Sequence, residues 1–425
     1  MSKVFISFLG KSNYSLEKYE NGTLTETRYV QSAIAENHGG AFFDKIRILV
    51  TKDSYDKNWV LLKEELEKRL TPDVDFQMVN ISDDLINDQW KWFETILSLV
   101  DFNDEVWFDM THGYRAFSIV LSAALSFIQK TKNIQLMAVY YGAYEAPGKP
   151  IIDMKDFYQI NQWADGVSDL IESADTSRLA KLSENASIDT FSALRDESLI
   201  RALNDLSHII KNVDVNHIAE KADKALALIA EKRKTCSGAD SQLLYLVTEK
   251  FSSLAQSCPP SGKYDFSYFS TQLAFIELLN RHGFYMQSFT VMRECIGSIG
   301  VLGAEEKHKR NMNNDDGRKG RRAAEVFLIM VQQKEEKWDF KEDGLIFKDM
   351  LKPFYDTLVE KGIMEKLRSF IKILVDLRNG FDHCWTSAGP KKRKLLEEVH
   401  INAEKCHKNL SEIIGDLKEM QIVCD

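Results

Sequence analysis

The chain is poor in the residues that mark non-globular proteins. Seven prolines and 21 glycines in 425 residues are too few for a disordered or fibrous protein. Its six cysteines (Cys236, Cys258, Cys295, Cys384, Cys406, Cys424) lie in the second half with no C-x-x-C pair, so neither a disulfide framework nor a zinc knuckle is expected. No apolar run approaches the ~20 residues that span a bilayer. The opening Met1-Ser-Lys-Val-Phe-Ile-Ser-Phe-Leu-Gly lacks the charged-then-apolar length of a secretory signal and reads as a first strand. A cytoplasmic, reduced protein is expected. A basic excess is missing too: 64 acidic against 55 basic residues give a net charge of −9. That excludes a general polyanion-coating role but not a local basic groove.

What is present is an ordinary globular balance, 44% hydrophobic and 28% charged, with length for two or three domains. Short apolar runs recur at Val4–Leu9, Ile46–Val50, Val74–Val79, Val106–Phe108 and Ile134–Tyr141. Amphipathic stretches at Tyr29–Glu36, Trp59–Leu70, Trp90–Val100 and Tyr114–Gln129 separate them. Strands alternating with helices predict a doubly wound, Rossmann-like α/β parallel sheet. The turn Glu145-Ala-Pro-Gly-Lys-Pro leads to a short extra strand at Ile151–Met154. Beyond Gln159 the strand-like runs stop and helical periodicity continues, which predicts an all-α C-terminal part. The expected division is 1–158 (sheet domain), 159–260 (helical connector) and 261–425 (helical domain), with Cys258-Pro-Pro-Ser-Gly-Lys as linker. In the last part, Phe269–Asn280 and Phe284–Ile299 read as helices hinged at His282-Gly283. Asn311–Arg322 reads as a polar loop and Ile363–Asn379 as an amphipathic helix.

Several chemical motifs fail on inspection. Gly10-Lys11-Ser12 has the end of a P-loop, but Phe5 stands where its first glycine belongs, so a strand-to-turn passage is expected. No G-x-G-x-x-G follows a strand, no serine-hydrolase elbow is present, and His400 and Cys406-His407 lie on a charged helix without further ligands. Neither a dinucleotide cofactor nor a metal is indicated.

Two segments survive. The first, Asp109-Met-Thr-His-Gly-Tyr-Arg115, follows the fourth strand, where open α/β sheets bind ligands. Thr111 offers a hydroxyl, Gly113 close backbone approach, the helix opening at Tyr114 its N–H groups, and Arg115 a charge. Gly10, Lys11, Ser12 and Asn13 share the same rim, so a phosphate-rich, nucleotide-like ligand fits; a plain helix cap at Thr111 is the competing reading. The second is Arg378-Asn379-Gly-Phe-Asp-His383, at the end of the amphipathic helix. A histidine moves protons near neutral pH and an arginine stabilises a phosphorane, so this pair suits metal-free RNA cleavage by the ribose 2′-hydroxyl. A helix C-terminus favouring cations is the competing reading. Two further pairs, Arg201 with His208 and Arg393 with His400, fit solvated helical faces. Residues five apart lie about 140° apart around a helix. The pair therefore does not converge unless Gly380 ends the helix or a second copy completes the site.

Together the two segments resemble the CARF–HEPN effector ribonucleases of type III CRISPR systems. The N-terminal likeness rests on Phe8-Leu-Gly-Lys-Ser, Asp109–Arg115 and Tyr140-Tyr-Gly-Ala; the C-terminal likeness rests on Arg378-Asn-x-x-x-His383 and on Leu278-Leu-Asn-Arg-His-Gly-Phe-Tyr-Met-Gln-Ser-Phe, with Glu294 as a supporting acid. Residues 159–260 have no such likeness. The resemblance implies a homodimer, or a higher oligomer, in which cyclic tetra- or hexa-adenylate lies across the two-fold axis as activator. Gly10, Lys11, Ser12, Asn13, Thr111, His112, Gly113, Tyr114 and Arg115 would hold it. Arg378 and His383 would cut single-stranded RNA, oriented by Asn379, without metal or cofactor. The products would carry a 2′,3′-cyclic phosphate and a 5′-hydroxyl. Arg318-Lys-Gly-Arg-Arg322 and Lys391-Lys-Arg-Lys394 would guide the RNA, or else form a solvated charged surface. The alternatives are degradation of the messenger at the N-terminal site, assisted by Lys11 or Thr111, and a non-catalytic signal-binding module.

Overall fold

The computed structural model describes all residues except 22, 85, 114, 186–190, 256–263, 305–317, 387–388 and 425. The expected linker at Cys258 and the stretch 311–317 lie outside the described residues. The chain divides into two units, Met1–Gln162 and Trp163–Asp425.

The strands of the first unit are β1 (Lys3–Phe8), β2 (Glu17–Asn21), β3 (Thr23–Thr27), β4 (Lys45–Val50), β5 (Asp75–Asn80), β6 (Glu105–Asp109), β7 (Gln135–Gly142) and β8 (Ile151–Asp153). Six of them form one sheet in the order β5-β4-β1-β6-β7-β8. All its pairings are parallel except β7 with β8, which is antiparallel. The fold class is therefore the doubly wound α/β sheet that the alternation of patterns predicts. From β1 the chain fills one side (β4, β5) and then crosses to the other (β6, β7), so the strand order reverses between β1 and β6.

Both sheet faces are apolar because both are covered, as parallel crossover connections require. On one face Phe5, Ile46, Ile48, Trp107 and Tyr140 pack with Val30, Ile34, Leu62 and Leu66 from the helices Val30–His38 and Val60–Arg69. On the other, Val4, Ile6, Val106, Phe108 and Val139 pack with Trp92, Ile96, Phe117, Leu121 and Leu125 from Gln89–Ser98 and Arg115–Thr131. Alternate residues of β1 thus serve opposite cores, and none of Val4–Phe8 is exposed. The β2–β3 hairpin is an addition to the expected elements. Its strands, Glu-Lys-Tyr-Glu-Asn and Thr-Leu-Thr-Glu-Thr, are too polar to stand out as apolar runs, although Asn21-Gly22 is a strong hairpin signal.

Among the described residues of the second unit, all regular elements are helices. Its C-terminal part contains the helices Phe266–Arg281, Tyr285–Val301, Arg318–Gln332, Glu342–Glu360, Ile363–Asp382, Pro390–Glu397 and Val399–Glu419. Phe266–Arg281, Tyr285–Val301, Ile363–Asp382 and Val399–Glu419 pack on one another, burying Phe275, Phe289, Met292, Phe370, Leu374 and Leu410. The first two are the expected pair joined at His282-Gly283. Two expectations are corrected. Residues 318–322 are not loop; they open the helix Arg318–Gln332. Gly380 does not end its helix, which continues to Asp382, because its backbone keeps helical hydrogen bonding and its missing side chain is filled by a neighbouring ring.

Candidate functional site

In the first unit, Gly10, Lys11, Ser12, Thr111, His112 and Gly113 line a single cavity of about 340 Å³, together with Phe8, Tyr14, Thr51 and Phe117. It lies past the carboxyl ends of β1 and β6, where the strand order reverses and open α/β sheets bind ligands. Asn13 is exposed and does not line the cavity. Tyr114 lies outside the described residues, and Arg115 opens the helix Arg115–Thr131.

The second loop of the cavity hangs on Asp109, which is fully buried at the end of β6. Its carboxylate accepts from Ser7 Oγ at 2.6 Å, from the Thr111 N–H at 3.0 Å and from the Thr111 hydroxyl. Burial raises the Asp109 pKa while these donors pull it back. Thr111 Oγ1 in turn accepts from the Gly142 N–H at 2.8 Å, tying the β6 loop to the end of β7. Thr111 is therefore a strut, with both hydroxyl functions committed inside the protein. Gly113 stands at φ 134°, a conformation a side chain would strain.

The first loop is shaped by two residues that sequence reasoning missed. Tyr14 packs edge-on against His112, with ring centroids 4.8 Å apart, and its hydroxyl lies where a Cβ on residue 10 would stand, 2.3 Å away. Gly10 is thus a glycine because Tyr14 occupies its side-chain space. Asn58 donates from Nδ2 to the carbonyls of Gly10 and Ser12, at 2.9 Å each. It sits in a π-helical turn, Tyr55–Trp59, a feature frequent at functional sites. No spacing in the sequence reveals Asn58; only the fold brings it to the loop 46 residues upstream.

Burial lowers the His112 pKa to about 4, so the ring is neutral at neutral pH, and its buried Nε2 has no partner among the described residues. Burial also raises the Tyr14 phenol. Lys11 reaches Asp53 at 3.3 Å with both side chains about half exposed. The cavity therefore offers neutral hydrogen-bonding groups on its wall and a cation at its rim.

In the second unit Arg378, Asn379 and His383 lie at one helix end. Arg378 Nη2 is 3.1 Å from Asp382 Oδ2, one turn on, and Arg378 Nε is buried without a partner among the described residues. His383 is exposed and is the C-cap; its N–H donates to the Asn379 carbonyl at 3.1 Å. Within one copy Arg378 is committed to Asp382, not to His383. Glu294 instead meets its neighbour Arg293 at 2.8 Å. The other two pairs behave as surface groups: Arg201 meets Glu197 at 2.6 Å, and Arg393 and His400 are exposed. Of the basic stretches, Arg322 is 3.3 Å from Glu325, whereas Lys391–Lys394 lies exposed on the helix Pro390–Glu397.

No family model matches the chain. Over 153 residues it is 25% identical to the CRISPR-associated protein MJ1674 of Methanocaldococcus jannaschii, a match covering 34% of this chain and 23% of that protein's length. Among solved structures it is similar to Enterococcus italicus Csm6 bound to cyclic hexa-2′-fluoro-hexa-dAMP. That alignment has 13% identity and a TM-score of 0.41, and it covers 99% of this chain and 95% of the other. No described helix is long and apolar enough to cross a membrane.

Proposed function

We propose that the protein is a CRISPR-associated, cyclic oligoadenylate-activated endoribonuclease that cuts single-stranded RNA without metal. The observation that carries the ligand half is the cavity at the strand-order reversal, in which six of the nine expected ligand residues meet. Phosphates would take the rim, near Lys11 and the N-terminus of Arg115–Thr131, where backbone N–H groups favour anions. The neutral His112 ring suits a base or hydroxyl better than a phosphate, since it carries no charge at neutral pH. The CRISPR-associated name of the Methanocaldococcus relative supports the setting.

The cleavage half rests on Arg378 and His383 sharing one helix end. His383 would take the proton of the attacking 2′-hydroxyl or return one to the leaving 5′-oxygen. Arg378 would stabilise the charge on the phosphorane, exchanging Asp382 for phosphate. Since Arg378 and His383 do not meet within one copy, a homodimer would bring two motifs to one cleft. Ligand binding in the first unit would favour the geometry that is competent to cut, provided the ligand binds that state more tightly.

The test is incubation with fluorescent single-stranded RNA and cyclic tetra- or hexa-adenylate in EDTA. The expected products end in a 2′,3′-cyclic phosphate and a 5′-hydroxyl, and His383→Ala loses at least ~10²-fold in rate. Cleavage that needs added metal, or that survives His383→Ala, removes the assignment. Loss of intact messenger without RNA cleavage would support degradation of the ligand instead.

A further inference from the structure

We propose that Trp385 is a positioning residue for His383, acting through the space that Gly380 leaves open. The inference rests on the ribonuclease reading above, because it concerns the placement of the histidine that reading assigns to catalysis.

The helix carrying Arg378 ends in a Schellman arrangement built around His383. The Trp385 N–H donates to the Gly380 carbonyl at 2.8 Å, and the Cys384 N–H donates to the Phe381 carbonyl at 3.0 Å. His383 is thereby the C-cap residue, at φ −100° and ψ 17°. The residue after a C-cap of this type takes the left-handed conformation and is usually glycine. Here it is Cys384 at φ 49°, followed by Trp385 at φ 55°. Two consecutive side-chain-bearing residues in that region persist only where the surroundings over-determine them.

The indole of Trp385 supplies the constraint. It lies across Gly380, where an added Cβ would come within 2.6 Å of the ring and within 2.7 Å of two further ring atoms. It also packs edge-on against Phe381, with centroids 5.5 Å apart, and Phe381 stacks on buried Phe289 at 6.3 Å. Trp385 Nε1 is buried with no partner among the described residues, so packing is the constraint these residues supply to the ring. The ring and the backbone bond together clamp the turn that bears His383 to the helical turn that bears Arg378. Gly380 in the Arg-Asn-Gly-Phe-Asp-His run is then a seat for the indole, not a helix terminator.

The test compares wild type with Gly380→Ala, Gly380→Ala/Trp385→Leu, Trp385→Ala and Trp385→Phe in the full chain. RNA cleavage is measured in EDTA with cyclic oligoadenylate, and kcat and KM are separated. A misplacement of about 1 Å costs on the order of 10²-fold in rate. Gly380→Ala and Trp385→Ala are therefore expected to lose about that factor in kcat with KM little changed. The double variant, which lacks the indole, is expected to do no better than Trp385→Ala, whereas Trp385→Phe recovers kcat relative to Trp385→Ala because a ring is kept. If Gly380→Ala does not fold, as judged by circular dichroism, the Trp385 pair decides alone. Equal kcat in Trp385→Ala and wild type, or Trp385→Phe no better than Trp385→Ala, overturns the positioning role. Wild type that does not cleave RNA, or that cleaves as well with His383→Ala, overturns the ribonuclease reading instead.

Discussion

Nη2 of Arg378 lies 3.1 Å from Oδ2 of Asp382, one helical turn away, with both side chains about one-third exposed. The arginine assigned to phosphate is thus parked on an acid of its own helix. An i,i+4 pair of this exposure is worth only about 0.3–0.5 kcal/mol. Asp382→Asn should therefore leave the melting temperature nearly unchanged. It should also lower the KM for RNA, because Arg378 no longer exchanges one anion for another. A KM that rises, with stability intact, would show that Asp382 aids the arginine instead of competing for it.

Thr111 is the strut of the ligand loop. Thr111→Val leaves the Gly142 N–H without its acceptor and takes one of three donors from buried Asp109. Leaving a buried polar group unpaired costs roughly 1–3 kcal/mol. A drop in unfolding free energy of that size, with weaker cyclic oligoadenylate binding, is expected by chemical denaturation and calorimetric titration. Unchanged stability would contradict the strut.

Gly10 and Tyr14 compete for one space. Gly10→Ala puts a Cβ 2.3 Å from the Tyr14 hydroxyl, so the ring must shift into the cavity and against His112. Ligand affinity should fall, and Gly10→Ala/Tyr14→Phe should regain part of it by deleting the clashing oxygen. Titration of both variants with cyclic oligoadenylate checks this; equal affinities would place the clash elsewhere.

Two half-buried histidines give acid sensitivity a definite sign. Burial holds His112 and His282 at about 4, below the ordinary value of 6.5. Between those values the unfolded chain binds protons that the native protein excludes, so stability falls as pH drops from about 6.5 towards 4. Replacing His112 by Asn should flatten this slope in thermal melts over that window. An unchanged slope would mean that other groups carry it.

The end of the helix Ile363–Asp382 stores local strain. Cys384 at φ 49° occupies the position at which glycine is usual. Relief of the left-handed penalty predicts that Cys384→Gly raises stability by up to about 1 kcal/mol, measured by denaturant unfolding.

The sheet was legible because its inner strands β1, β4 and β6 are buried on both faces and so appear as unbroken apolar runs between amphipathic helices, whereas edge strand β5 is partly exposed and gives a weaker run. The hairpin β2–β3 escaped because only Tyr19, Thr25 and Thr27 of its described side chains are buried, a pattern too polar to register as a strand. Thr111, His112 and Gly113 were legible because they are consecutive and follow a strand. Tyr14 and Asn58 were not, since what matters in them is a contact with Gly10 that the fold creates across the chain. Arg378 and His383 stand out in the sequence through Asn379 and their place at the end of an amphipathic helix and not through spacing alone, whereas the acid that Arg378 meets, Asp382, lies inside the same motif without any signal of its own.

The central claim is that a small nucleotide in the first unit governs cleavage in the second. It is tested most directly by the ratio of RNA cleavage rates with and without cyclic oligoadenylate in EDTA, for wild type and Thr111→Val. The account predicts strong activation of wild type, with Thr111→Val needing more ligand to reach the same maximal rate. Cleavage that is equally fast without ligand, or unresponsive to any cyclic oligoadenylate, would contradict it.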